Sequence, residues 1–175
     1  MFAIVQNNEI IQMVSPNTGF TLNDIQYPAN WCNLATPEDK AAIGMVDVIK
    51  SDRADDRFYW VSENAPVYDS ASNTVTVSYT ATPKDLTAKK AEMVAAIKAA
   101  AHSILSPSDW MVTRAAESSA TPVPAEWSTW RASIRTTTNT VITAINGAAD
   151  MAALQAVSVS WPLDPDAAAA AEANK

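Results

Sequence analysis

The residues of this chain that could do covalent or metal chemistry are few and scattered. His102 is the only histidine and Cys32 the only cysteine. A Cys/His nucleophile needs the two side chains in hydrogen-bond reach, and nothing in the sequence brings these two together. A helix-end histidine and a buried thiol are the plainer readings. A zinc site would need further ligands at short spacing from His102, and none is present. Asp52, Asp55 and Asp56 form a loose acidic group. A calcium loop needs ligands at fixed offsets, glycine at its turn and a distal glutamate. Here Arg53 and Arg57 neutralise the patch instead. Hydrolysis of glycans calls for two carboxylates facing across a cleft. Asp55 or Asp56 with Glu63 are the nearest candidates, and alternating strand side chains give no reason to pair them. Three isolated glycines, at 19, 44 and 147, build no phosphate cradle. The sequence therefore assigns no catalytic, cofactor-binding or metal-binding residue, and the chain reads as a non-enzyme.

What the residue types do favour is binding. Six tryptophans lie in the 175 residues. Trp110 ends Ser106-Pro107-Ser108-Asp109-Trp110, and Trp127 and Trp130 lie in Glu126-Trp127-Ser128-Thr129-Trp130-Arg131. Indoles supply large contact area at low entropic cost and dominate both cores and protein interfaces. Ser108-Asp109 reads as a local cap or turn that fixes the ring beside it. Arg131 follows Trp127 by one helical turn, within reach of an acid or an indole face. Trp110, Trp127, Trp130, Arg131, Ile134 and Trp161 are the candidate partner-binding residues.

These residues need elements to hold them. Phe2 to Val5 and Ile10 to Val14 flank Gln6-Asn7-Asn8-Glu9, and adjacent asparagines tolerate the left-handed backbone of a hairpin turn. Phe20 to Pro28 reads as one extended stretch. Thr36-Pro37-Glu38 starts a short helix with a hydroxyl cap, proline at its first position and an early acid; Gly44 ends it. Met45 to Ile49 and Phe58 to Val61 read as strands. Val67-Tyr68 and the alternating Val75, Val77 and Tyr79 read as a second hairpin with one wet face. The character changes at Pro83. Leu86, Met93, Ile97, Ala100 and Ile104 recur at helical spacing, with Lys90 breaking the stripe and Asp85 placed to cap. Residues 106–124 carry no period and three prolines, so a long ordered loop is expected, pinned by Trp110. A second helix starts at Pro124 and Glu126 and ends at Asn146-Gly147. It crosses Thr136-Thr137-Thr138, where β-branched residues cost propensity. A short helix begins at Asp150, an extended exit runs through Trp161-Pro162, and an Ala/Asp-rich tail closes the chain.

The expected fold class is thus α+β: a small antiparallel β-rich N-terminal domain over residues 1–82, then an antiparallel helical module with a long ordered loop over 83–162, then a flexible tail over 163–175. Apolar residues make up 48% of the chain, enough for a core, and the net charge is −7. Residues 1–85 carry 5 Lys/Arg against 11 Asp/Glu. That balance argues against nucleic acid as a partner, because phosphate binding needs a basic footprint. It keeps the protein in solution and favours encounter with a basic surface. A lone cysteine forms no intrachain disulfide, which suits a reducing compartment. The first residues lack a basic leader with a long apolar core, so no signal peptide is expected. No apolar run has the length of a membrane span.

Residues 86–162 resemble the tail fibre assembly proteins of tailed bacteriophages, also called tail assembly chaperones. The resemblance lies in Ser108-Asp109-Trp110, Glu126-Trp127, Trp130-Arg131, Ile134-Arg135 and Trp161-Pro162, in that order. Trp130 stands where the family usually has tyrosine, and Ile134 where it usually has leucine. An extra stretch, residues 139–157, precedes the closing Trp-Pro. The front half, with Tyr27-Pro28-Ala29-Asn30-Trp31 and Asp56-Arg57-Phe58-Tyr59-Trp60, looks like domains that precede this module in phage proteins. The resemblance implies a chaperone, without cofactor, that binds the distal part of a trimeric tail fibre protein and assists its folding and trimerisation. It implies work in the host cytoplasm during assembly, with retention in the virion tail as the alternative: a permanent cap or adaptor of the fibre or baseplate, with self-association as a further contact.

Overall fold

In the computed structural model, which describes residues 1–118 and 121–173, the chain is α+β, and it divides into two compact units, Met1–Thr82 and Pro83–Lys175.

The first unit is built on a hairpin. Strands β1 (Phe2–Gln6) and β2 (Glu9–Val14) pair antiparallel. Asn7 and Asn8 both hold positive φ, 52° and 64°, which gives the tight turn whose twist matches the flanking strands. Opposite the Ile4/Val5 step the register slips, so that Ile4 faces Gln12 and Val5 faces Ile10, leaving Ile11 as the extra, exposed residue of a bulge. The bulge reverses the parity of β2. Ile10 and Met13 therefore point to one side and Val14 to the other.

The stretch from Phe20 to Pro28, expected as a single extended run, is a second hairpin. Strands β3 (Phe20–Leu22) and β4 (Ile25–Tyr27) turn at Asn23 and Asp24, again both at positive φ. Helix α1 (Trp31–Leu34) follows at once. The Phe20 and Tyr27 rings stack at 4.6 Å, and Trp31 sets its edge against both. Helix α2 (Pro37–Ala42) begins as its sequence demands: Thr36 and Asp39 form a reciprocal capping box, with Pro37 at the first position. Gly44 ends the turn at φ +71°, with the Val5 carbonyl packed so close that a Cβ would sit 2.3 Å from it. Only glycine fits there.

Strand β5 (Met45–Lys50) then pairs antiparallel with β1. The later strands are β6 (Tyr59–Glu63), β7 (Val67–Asp69), β8 (Thr74–Val77) and β9 (Tyr79–Pro83). The main sheet runs β2-β1-β5-β8-β7, with β6 and β9 paired separately. The expectation of an antiparallel unit is corrected at one place, since β5 and β8 pair parallel. The long excursion through β6 and β7 supplies the crossover that a parallel pair needs. The outer strands β2 and β7 approach within 8 Å, so the sheet curls toward closure. All five strands fill its concave side with Ala3, Val46 and Val75, packed by Val5, Ile10, Met13, Val48 and Tyr68. The opposite side carries Ile4, Val14 and Met45, which bury Phe20 and Leu22 of the β3–β4 hairpin together with Cys32.

One turn of this unit is expected to respond to pH. Asp69 accepts hydrogen bonds from Ser72 Oγ at 2.7 Å and the Ala71 amide at 3.0 Å. The hydroxyl first, and the amides after it, hold its carboxyl below the ordinary carboxylate range. A depressed value favours the folded turn only while the group is ionised. The β7–β8 turn is therefore expected to be tightest above the ordinary aspartate pKa and to loosen as pH falls through the lower, folded value. Carboxyl carbon NMR shifts would trace this, and a midpoint at or above the ordinary value for Asp69 would contradict it.

The second unit consists of α3 (Leu86–Leu105), a 3-10 turn (Ser106–Ser108), α4 (Asp109–Glu117), α5 (Ala125–Gly147), α6 (Met151–Gln155) and α7 (Pro165–Ala173). Asp85 caps α3 and Asp150 caps α6, each through its Oδ1. Lys90, the residue that interrupts the apolar stripe, donates to the Asn146 carbonyl at 2.9 Å and so satisfies an open end of α5. This sets the start of α3 beside the end of α5. Ala101, packed with Trp130 and Ile134, sets the end of α3 beside the start of α5. The two long helices are antiparallel. The threonine-rich centre of α5 is helical despite its low propensity; Thr138 donates to the Ile134 carbonyl at 2.7 Å, and on the same helix Thr129 and Thr143 donate to the carbonyls of Ala125 and Asn139.

One expectation changes here. The long loop of 106–124 is largely helical, with α4 in its middle; residues 119 and 120 of that stretch lie outside the described residues. The Ala/Asp-rich tail forms α7, capped by Asp164 and opened by Pro165.

Candidate functional site

A buried arginine organises the site. Arg131 lies in the second turn of α5, only 6% exposed. Its Nη1 donates to the Leu105 carbonyl at 3.0 Å and to Ser108 Oγ, and its Nη2 donates to Asp109 Oδ1 at 2.6 Å. Ser108 is itself sealed and donates to the Leu105 carbonyl at 2.8 Å. One planar guanidinium thus spans the last carbonyl of α3, the 3-10 turn and the first residue of α4. Arginine suits this role because its donors diverge in a fixed fork. Of the two partners expected for Arg131, the acid is the one it meets.

Trp130, the preceding residue, is 8% exposed. Its Nε1–H donates to the Pro162 carbonyl at 3.1 Å, which ties residues 157–164, a segment without helix or strand, onto the helix pair. Ile134 has no exposed surface and packs with Ala101 and Trp130; Ile104, Leu105, Trp127 and Trp161 close the cluster. Trp127 sets its ring edge-on to Trp130 at 5.4 Å and 84°. The segments Ser108-Asp109, Trp127, Trp130-Arg131, Ile134 and Trp161-Pro162 come together at this one place in the unit. Among them, Trp130, Arg131 and Ile134 face inward and hold the arrangement. Trp127 and Trp161 are half-buried and keep open surface.

That surface is the wall of a groove of about 350 Å³. Ile104, Pro107, Trp127, Trp161 and Leu163 give it an apolar lining, and Asp164 is its one charged residue. Leu163 stands 63% exposed at its rim.

Trp110 takes a different place from the pin expected of it. It projects from α4 at 53% exposure, with the Arg114 guanidinium 4.7 Å from its ring centre. Val112 on the same helix is 43% exposed. The anchoring expected of Trp110 is carried by Ser108 and Asp109 beside it. Asp164 was absent from the candidate residues, although Asp-Pro ahead of an alanine run is a helix-start signal that could have marked it.

Arg53 pairs with Asp56 at 2.5 Å and Arg57 with Asp55 at 2.6 Å, so the acidic loop is internally compensated. Cys32 is buried in the first unit's core, and His102 is exposed in the last turn of α3. Among the described residues no group of three His, Cys, Asp or Glu could hold a metal, and no helix is long and apolar enough to cross a membrane. No family model, curated protein or solved structure matches this chain.

Proposed function

We propose that this chain is a tail fibre assembly protein of a tailed bacteriophage, a chaperone that binds the distal part of the fibre polypeptide in fixed ratio and assists its folding and trimerisation. The observation that carries the reading is the meeting of motif segments from three parts of the sequence around one indole-lined groove. Arg131 fixes the turn that presents α4, and Trp130 fixes the segment that carries Trp161. What remains outward is apolar and aromatic: Trp127, Trp161 and Leu163 in the groove, with Trp110 and Val112 on α4.

A fibre tip that has not yet trimerised exposes apolar surface and unpaired strand edges, which aggregate unless covered. Rigid indole faces cover such surface at low entropic cost. The work needs no nucleotide or metal, only binding, and it takes place in the host cytoplasm during assembly. The β-rich unit serves as an adaptor to a neighbouring fibre region.

Co-expression of the fibre with and without this chain tests the proposal. The expected result is a severalfold higher yield of soluble trimeric fibre in its presence. Equal yields would count against chaperoning. Recovery of the chain from purified particles, in fixed ratio to the fibre, would mark it instead as a permanent cap or adaptor of the fibre or baseplate.

A further inference from the structure

We infer that the indole groove selects an apolar segment that carries a lysine or arginine, and that Asp164 receives the cation. The inference rests on the fibre reading only for where that segment comes from.

Three observations on the groove point to a cation. First, its walls include three indoles, those of Trp127, Trp130 and Trp161. The face of an indole carries negative potential and attracts guanidinium and ammonium groups. Second, among the described residues the only charged one on its lining is a carboxylate, Asp164. Its Oδ1 caps α7 through the Ala167 amide at 2.8 Å. No lysine, arginine or histidine pairs with it among the described residues. Third, Arg131, whose donors reach Ser108 on the groove's lining, is committed to Leu105, Ser108 and Asp109. The groove therefore keeps an anionic group and indole rings, and among the described residues no cation is paired with that group.

The apolar part of the occupant follows from Ile104, Pro107 and Leu163 on the same walls. An acidic segment would meet Asp164 and the indole faces with like sign and is disfavoured. A wholly apolar one would leave the carboxylate without a partner as the groove closed over it.

The test uses the full chain, labelled with ¹⁵N, and three synthetic peptides. They are Ac-Gly-Leu-Arg-Leu-Gly-NH2, the same peptide with neutral citrulline for arginine, and the same with glutamate. The indole N–H signals of Trp127 and Trp161 report occupancy. The arginine peptide is expected to bind about three- to tenfold tighter than the citrulline peptide, with the glutamate peptide weakest. Asp164→Asn is the decisive variant, because asparagine is as good a helix cap as aspartate. It is expected to leave α7 helical and to bring the arginine and citrulline affinities within about twofold. Equal affinities in the unaltered chain, a preference that survives Asp164→Asn, or no binding by any peptide would each overturn the inference. Such a result would leave the fibre reading standing if fibre yield still depends on the chain. Equal fibre yields would remove that reading without touching a measured charge preference.

Discussion

Trp130→Ala is expected to lower the stability of the helical unit by about 3–5 kcal/mol, the range for truncating a buried large aromatic. The ring is 8% exposed and lies against Ala101 and Ile134, with Trp127 edge-on beside it. Truncation removes that contact area and leaves a cavity whose walls belong to two antiparallel helices, which close only partly. It also frees the Pro162 carbonyl. Trp130→Phe separates the two contributions, since it keeps a ring and loses the N–H. That variant is expected to cost about 1–2 kcal/mol. Trp127→Ala is expected to cost less than Trp130→Ala, because much of the Trp127 ring faces the groove, and to reduce fibre binding more than stability.

The measurement needs a signal that belongs to one unit, because a chain of two units need not unfold in a single step. Ellipticity at 222 nm serves, since the long helices all lie after Pro83. A Trp130→Ala loss below about 1 kcal/mol would show that the indole cluster is not what holds these helices together.

Much of the architecture could be read from local pattern, and the residues explain why. Residues 86–105 combine a helical period with an aspartate cap, and α3 runs from Leu86 to Leu105. Asn7-Asn8 and the capping box at Thr36 are signals that act within four residues, and both form as their chemistry requires. Where pattern failed, the deciding contact was distant or the local signal was weak. Asn23-Asp24 turns a hairpin without glycine, so Phe20 to Pro28 looked continuous. Helix α4 is nine residues long and follows Ser106-Pro107, too short a run to display a period. The parallel pairing of β5 with β8 is invisible because alternation tells which face a residue takes, not which strand it meets.

The site follows the same rule. Its aromatic residues and Arg131 stood out by type and spacing. Their division into inward and outward members did not, because it depends on how α3, α5 and residues 157–164 pack. Trp127 and Trp130 are neighbours in one motif and both touch the groove, yet one keeps open surface there and the other is almost wholly buried. Asp164 acquires its place only because Trp130 holds Pro162 two residues before it.

Arg131→Ala is the second large effect expected, about 2–4 kcal/mol in the helical unit. Removing one member of a fully buried ion pair costs about 3–5 kcal/mol when its partner is stranded without water. Here the partner left behind is Asp109, whose side chain is 51% exposed, against 7% for that of Arg131. Water can solvate the carboxylate, which pulls the expectation below that range. The buried acceptors that remain are the Leu105 carbonyl and Ser108 Oγ, and these still carry a desolvation penalty. Asp109→Asn tests this division. It is expected to cost only about 1 kcal/mol, because the guanidinium keeps its two other acceptors and asparagine still offers an oxygen. Arg131→Lys keeps the charge but loses the fork that reaches three residues at once, so it is expected to fall between the two. The damage should also be localised. Amide exchange over Ser106–Ser108 and α4 is expected to accelerate in Arg131→Ala by more than in α6, because the guanidinium is what joins that segment to α5. Uniform acceleration across the helical unit, or a cost for Asp109→Asn equal to that of Arg131→Ala, would place the stabilisation in the ion pair rather than in the buried fork. The presentation of Trp110 from α4 would then depend on a contact that salt can screen.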